Sequence, residues 1–68
     1  MIKPRESGVR MRELRGIRTR VGVATAIGIS PSALQAYENG SRTPRDEVKC
    51  RIAEYYGVTV ASIWYPEG

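Results

Sequence analysis

Along the chain, apolar residues recur in short groups three and four positions apart, and glycines at 16, 28, 40 and 57 close the segments that carry them. Met11 and Leu14 supply the buried edge of a helix over 7–15, with Ser7 as its N-cap and Gly16 as its stop. Ile17 is expected to anchor the short connection that follows. Val23, Ala24 and Ile27 stand at i, i+1 and i+4 and give residues 20–27 an inner face. Propensity there is weak, since Gly22 alone costs about 1 kcal/mol relative to Ala. The alternation expected of a strand is poor, however, and Ala24 and Ala26 do not favour one. Thr19 as cap and Gly28 as stop decide for helix.

Residues 28–30 form a tight turn with Ile29 at its corner, and Ser30 opens a third helix over 31–39. Both ends of that helix are marked. Ser30 can accept from orphan backbone N–H groups, Pro31 suits the first helical position, and Gly40 can take the left-handed conformation that ends it. Ala33, Leu34 and Tyr37 make its apolar side. Pro31, Ser32, Gln35, Ala36 and Asn39 make the other, which bears no net charge and offers short side chains, hydroxyls and amides. A solvated face more often holds Lys and Glu; a face that reads DNA bases looks like this one. Residues 20–40 thus have the outline of helix, glycine turn, helix.

Thr43-Pro44-Arg45-Asp46 predicts the start of a fourth helix over 44–56, with Thr43 as cap and Glu47 adding negative charge at the positive end. Val48, Ile52, Tyr55 and Tyr56 form its stripe, and Cys50 lies off it. A short fifth helix over 60–64 has Thr59 as cap. Val58, Val60, Ile63, Trp64 and Tyr65 are then a dense apolar group, some of which closes the core. Any surplus, with Ile63, Trp64 and Tyr65 as candidates, would form a dimer interface. The expected organisation is all-α: a flexible lead-in over 1–6, with two basic residues, followed by one compact five-helix domain over 7–65.

Composition narrows the function. A chain of 68 residues is one domain, and a core this small contributes only about 3–5 kcal/mol of net stability. Cys50 is its one cysteine, so no disulfide helps and a reducing, cytoplasmic setting is expected. No run is long enough to span a membrane, and no signal-peptide pattern opens the chain. The net charge of +4 is uneven, with +6 over residues 1–45 and −2 over 46–68. A polyanion is the natural partner of the first part. Without histidine, and with no carboxylate or thiol cluster at ligand spacing, no catalytic residue, metal site or cofactor is expected.

In the order in which they occur, these segments resemble the lambda-repressor-like (XRE, Cro/repressor type) helix-turn-helix family. Gly8 through Arg15 looks like its first helix. Val23-Ala24, Ile27-Gly28-Ile29-Ser30 and Leu34 are similar to its helix-turn-helix core, and Tyr37-Glu38-Asn39-Gly40-Ser41-Arg42 with Pro44 to its most specific segment. Ile52-Ala53, Gly57-Val58 and Ile63 match the last two helices.

The resemblance implies a transcriptional regulator, a small Cro-like repressor in layout, that binds an inverted-repeat operator as a homodimer through the major groove. By position, Pro31, Ser32, Gln35 and Ala36 would face bases. Thr19, Arg20, Ser30, Asn39, Ser41 and Arg42 would contact phosphates. Glu38 would be a structural acid paired with Arg15 or Arg12. Three features depart from the pattern: a shorter link between the first two helices, Arg20 in place of a common Gln, and Asp46 and Lys49 where relatives often place leucine, so that helix four is expected to be rotated or packed differently. The alternative expectation is an antitoxin or adaptor-type interaction module that holds a protein partner on the C-terminal apolar patch.

Overall fold

A computed structural model describes residues 2–66, and within them the regular structure is entirely helical. Five helices follow one another: α1 Pro4–Arg15, α2 Arg20–Ile27, α3 Pro31–Asn39, α4 Asp46–Tyr56 and α5 Val60–Trp64. Met11, Val23, Leu34, Ile52, Ile63 and Trp64 draw one side chain or more from every helix into a single core. Each such side chain contributes roughly 1.5–3 kcal/mol on burial. Three of the expected caps form as anticipated: Thr19, Ser30 and Thr59 accept from the backbone N–H groups of Gly22, Ala33 and Ser62.

Two helix starts differ from expectation. α1 begins at Pro4, not at residue 7, so residues 4–6 of the supposed flexible lead-in are helix, and the Ile2 N–H donates to the Trp64 carbonyl at 2.9 Å. Pro4 occupies the first helical turn, where a missing N–H costs nothing. Ser7 is therefore not a cap; it is buried, and its hydroxyl donates to the Pro4 carbonyl one turn back at 3.0 Å. α4 begins at Asp46 rather than 44, with Arg45 in the N-cap position and Pro44 buried in the approach.

α1 crosses α3 at close range, and Gly8 is the reason it can. A Cβ at Gly8 would sit on the Glu38 carbonyl oxygen and 2.8 Å from that of Tyr37. The end of α3 meets α1 in the same way. Gly40 holds φ +78, and a Cβ there would lie 2.8 Å from the Arg5 Cα. Only glycine satisfies both the left-handed backbone and the contact.

The C-terminal apolar group is spent on the core. Trp64 is fully buried and Ile63 is 1 % exposed, so the expectation that they form a dimer interface is corrected; of the three, Tyr65 alone keeps exposed surface. A domain this small needs its large side chains inside. Lys49 is buried as well. Its ammonium lies over the rings of Trp64 and Tyr65 at 5.6 and 5.2 Å and donates to the Tyr65 hydroxyl at 3.3 Å. The stem packs like an aliphatic residue while the head meets aromatic faces. Ile17 does not anchor its connection: it is fully exposed, and Arg18 beside it covers Tyr55 and Tyr56 at 5.6 and 5.8 Å.

Candidate nucleic-acid interface

α3 divides as its pattern requires. Leu34, Tyr37 and Glu38 are buried, and Ser30, Pro31, Ser32, Gln35 and Asn39 are exposed. Ala36 is half-buried, and its carbonyl accepts from the N–H groups of Ser41 and Arg42 at 3.0 and 3.4 Å. Ser32, Gln35 and Asn39 fall three and four apart and make one continuous outward row of hydroxyl and amide groups. Of the four expected base-facing residues, Ser32 and Gln35 are exposed and carry hydrogen-bonding side chains. Pro31 is exposed without one, and Ala36 offers only a methyl group.

The helix is held from behind by a buried carboxylate. The Glu38 side chain is fully buried; Arg15 grips it with Nε to Oε2 at 2.8 Å and Nη2 to Oε1 at 3.1 Å. This bidentate geometry is the strong form of the pair, and hydrogen bonding to Glu38 holds the Arg15 guanidinium above its usual pKa. Arg20 adds a third bond, Nε to Oε1 at 2.9 Å. One acid on α3 thereby joins the end of α1 to the start of α2. Of the two expected partners, Arg15 takes the carboxylate. Arg12 takes the end of the helix instead, donating through Nη2 to the Glu38 carbonyl and to Asn39 Oδ1, each at 3.4 Å. Arg20 is thus part of the ion-pair cluster, although its side chain remains 38 % exposed.

The flanks carry the remaining expected contacts. Thr19 and Ser30 cap α2 and α3, which leaves each hydroxyl proton free to point outward. Ser41 and Arg42 are exposed beyond α3; the Ser41 hydroxyl donates back to the Ala36 carbonyl at 3.2 Å, and the Arg42 guanidinium lies 5.9 Å over the Tyr37 ring, so Arg42 is the donor at this end. Exposed donors therefore border the outward row at both ends. The turn between α2 and α3 has a lock that sequence reasoning missed. Arg51 on α4 donates through Nη2 to the Ile27 and Gly28 carbonyls at 3.1 and 3.3 Å. The Arg51 guanidinium also meets the Glu47 carboxylate, four residues earlier, at 3.6 Å.

Among the described residues, no group of three or more His, Cys, Asp or Glu side chains is placed to hold a metal ion, and no helix is long and apolar enough to cross a membrane. Tyr56 lies beneath the Glu38 cluster. Burial, then the negative charge of Glu38, pushes its hydroxyl pKa up to about 12.

Comparison with protein families gives a match over residues 7–63, nearly the whole chain, to a family described as a helix-turn-helix domain. Neither the curated proteins nor the solved structures give a match.

Proposed function

The chain belongs to the helix-turn-helix domain family, and we propose that it is a sequence-specific DNA-binding transcriptional regulator that reads the major groove with α3. The observation that carries this reading is the exposed, uncharged row Ser32, Gln35 and Asn39 on a helix fixed from behind by Glu38. Base recognition needs hydrogen-bonding groups held at a set position, and a rigid helix supplies that. Gln35 can donate to and accept from an adenine edge in bidentate fashion, and Ser32 can bond either kind of edge. Ala36 suits contact with a thymine methyl group.

Thr19, Ser30, Asn39 and Arg42 act on phosphates and set the register of α3 in the groove, whereas the Ser41 N–H and hydroxyl are both spent on the Ala36 carbonyl, at 3.0 and 3.2 Å. Arg20 contributes with the part of its guanidinium not taken by Glu38. Affinity then falls steeply with salt, because each neutralised phosphate releases counterions. The regulator acts in the cytoplasm as a small repressor, binding an inverted repeat as a homodimer. Its dimer contact is built without Ile63 and Trp64, which the core uses. Their burial leaves Tyr65 and the half-buried Val58 and Val60 as the apolar surface at this end, a smaller base for an antitoxin or adaptor role.

The test is an unbiased selection of bound sequences from a random duplex pool at stated salt. The proposal expects one enriched half-site, repeated with inverted orientation at about one helical turn, roughly 34 Å centre to centre. A pool that stays random after selection would overturn it.

A further inference from the structure

We propose that the basic edge of α1 where it crosses α3, carried by Arg5 and Arg12, is a second phosphate-binding surface that extends the DNA contact beyond the helix-turn-helix. The inference rests on the DNA-binding reading above and adds a surface that the motif does not supply.

Arg5 and Arg12 stand seven residues apart on α1, so they share a face to within about 20°. They are separated by about 10 Å along the axis, from a rise of roughly 1.5 Å per residue. Gly8 lies between them and is pressed onto the Glu38 carbonyl, so this face runs along the end of α3. The backbone of Arg5 abuts Gly40, directly after the recognition helix. Both arginines are exposed. The nearest acid on α3, Glu38, is buried and engaged by Arg15 and Arg20, so it does not offset their charge. Glu6, the acid beside Arg5, lies about 100° further round α1.

Arg12 ties this edge to the row that faces DNA. It donates to Asn39 Oδ1, which occupies the amide oxygen and leaves Nδ2 as the group to offer DNA. Phosphate oxygens only accept, so an asparagine contributes to them through its N–H groups alone. Arg12 therefore acts as a positioning residue for Asn39 as well as a cation beside it. Arg5 continues the positive edge past Gly40, on the side of the chain where Ser41 and Arg42 emerge.

A purely structural role for Arg12, capping the Glu38 carbonyl at the end of α3, would change folding stability but not the number of counterions released. The salt dependence of binding separates the two. Affinity for a mixed-sequence duplex of about 20 base pairs is followed by fluorescence anisotropy between 50 and 200 mM salt, conditions in which each phosphate contact adds about 0.9 to the log–log slope. Circular dichroism checks the fold of each variant.

Arg5→Ala with Arg12→Ala should lower the slope by about 2, and Arg5→Ala alone by about 1. Arg5→Lys with Arg12→Lys should keep the slope near wild type. Arg10→Gln should leave it unchanged, because Arg10 lies on the far side of α1 and donates to the Ser62 carbonyl at 2.8 Å. A slope that does not move in Arg5→Ala would overturn the proposal, and so would an equal loss in Arg10→Gln. Wild-type protein that binds normally while the alanine pair matches it refutes this surface alone. Wild-type protein with no salt-dependent binding refutes the DNA reading and this surface with it.

Discussion

The two arginines on Glu38 are in different settings, and a double-mutant cycle should separate them. Arg15 meets the carboxylate bidentately with its side chain 13 % exposed, whereas Arg20 makes one bond with its side chain 38 % exposed. Removing one partner of a buried pair costs about 3–5 kcal/mol, because the other charge is left without compensation. That rivals the roughly 3–5 kcal/mol a core of this size supplies. Glu38→Gln should therefore populate unfolded protein in plain buffer, and the cycle is best run in an osmolyte that favours the compact state.

Urea denaturation of Glu38→Gln, Arg15→Gln, Arg20→Gln and the two double variants gives the couplings. The Glu38–Arg15 coupling should be about 2–3 kcal/mol, as for charge-assisted bonds out of water. The Glu38–Arg20 coupling should stay below about 1 kcal/mol, as for a pair open to solvent. In a domain this small, the first corresponds to roughly 8–24 °C in Tm, at about 4–8 °C per kcal/mol. Equal couplings, or a Glu38–Arg15 coupling below about 0.5 kcal/mol, would refute the view that Arg15 is what holds α3 in place.

Gly8→Ala should destabilise by about 1–3 kcal/mol or more, since α1 and α3 must separate to admit the methyl group; thermal melts check this, and a neutral result would contradict the close crossing. Ile17→Ser should leave stability within about 0.5 kcal/mol, as the side chain is fully exposed, and the same melts would show a core role if one existed. Tyr56 should make stability fall at high pH. Its pKa is raised from 10.0 to about 12, so its contribution is complete below pH 10 and is lost as pH rises through about 12. Tyr56→Phe should remove that part of the decline in urea midpoints. It should also match or exceed wild-type stability at neutral pH, because the Tyr56 hydroxyl is buried with no hydrogen-bond partner among the described residues.

What could be read from residues alone followed the strength of the local signal. Ser30-Pro31 and Gly40 specified α3 to the residue, because cap, first-turn proline and left-handed glycine all agree there. α2 was legible only through Thr19 and Gly28, since its interior has little helix preference. The α1 start was missed because Ser7 looks like a cap, whereas Pro4 opens the helix and Ser7 bonds back to it.

Tertiary facts were less accessible. Nothing local says whether Trp64 faces the core or a partner; that depends on how much apolar volume five short helices must fill. The cluster on Glu38 was half legible. An arginine of α1 was expected, but Arg20 was assigned to phosphate and Arg51 was given no role, because long cations report their partners only once the helices are packed. The outward row of α3 was the clearest functional signal, and Ser32, Gln35 and Asn39 are exposed together.

That row is the centre of the account, and Gln35 is the place to test it. Gln35→Ala leaves every core and ion-pair contact intact, so a binding selection on this variant isolates base reading from folding. The variant should bind duplex DNA but lose preference at one or two base pairs per half-site, about 1–3 kcal/mol at each, with the rest of the motif retained. A motif identical to that of the wild-type protein would show that α3 does not present this face to the bases.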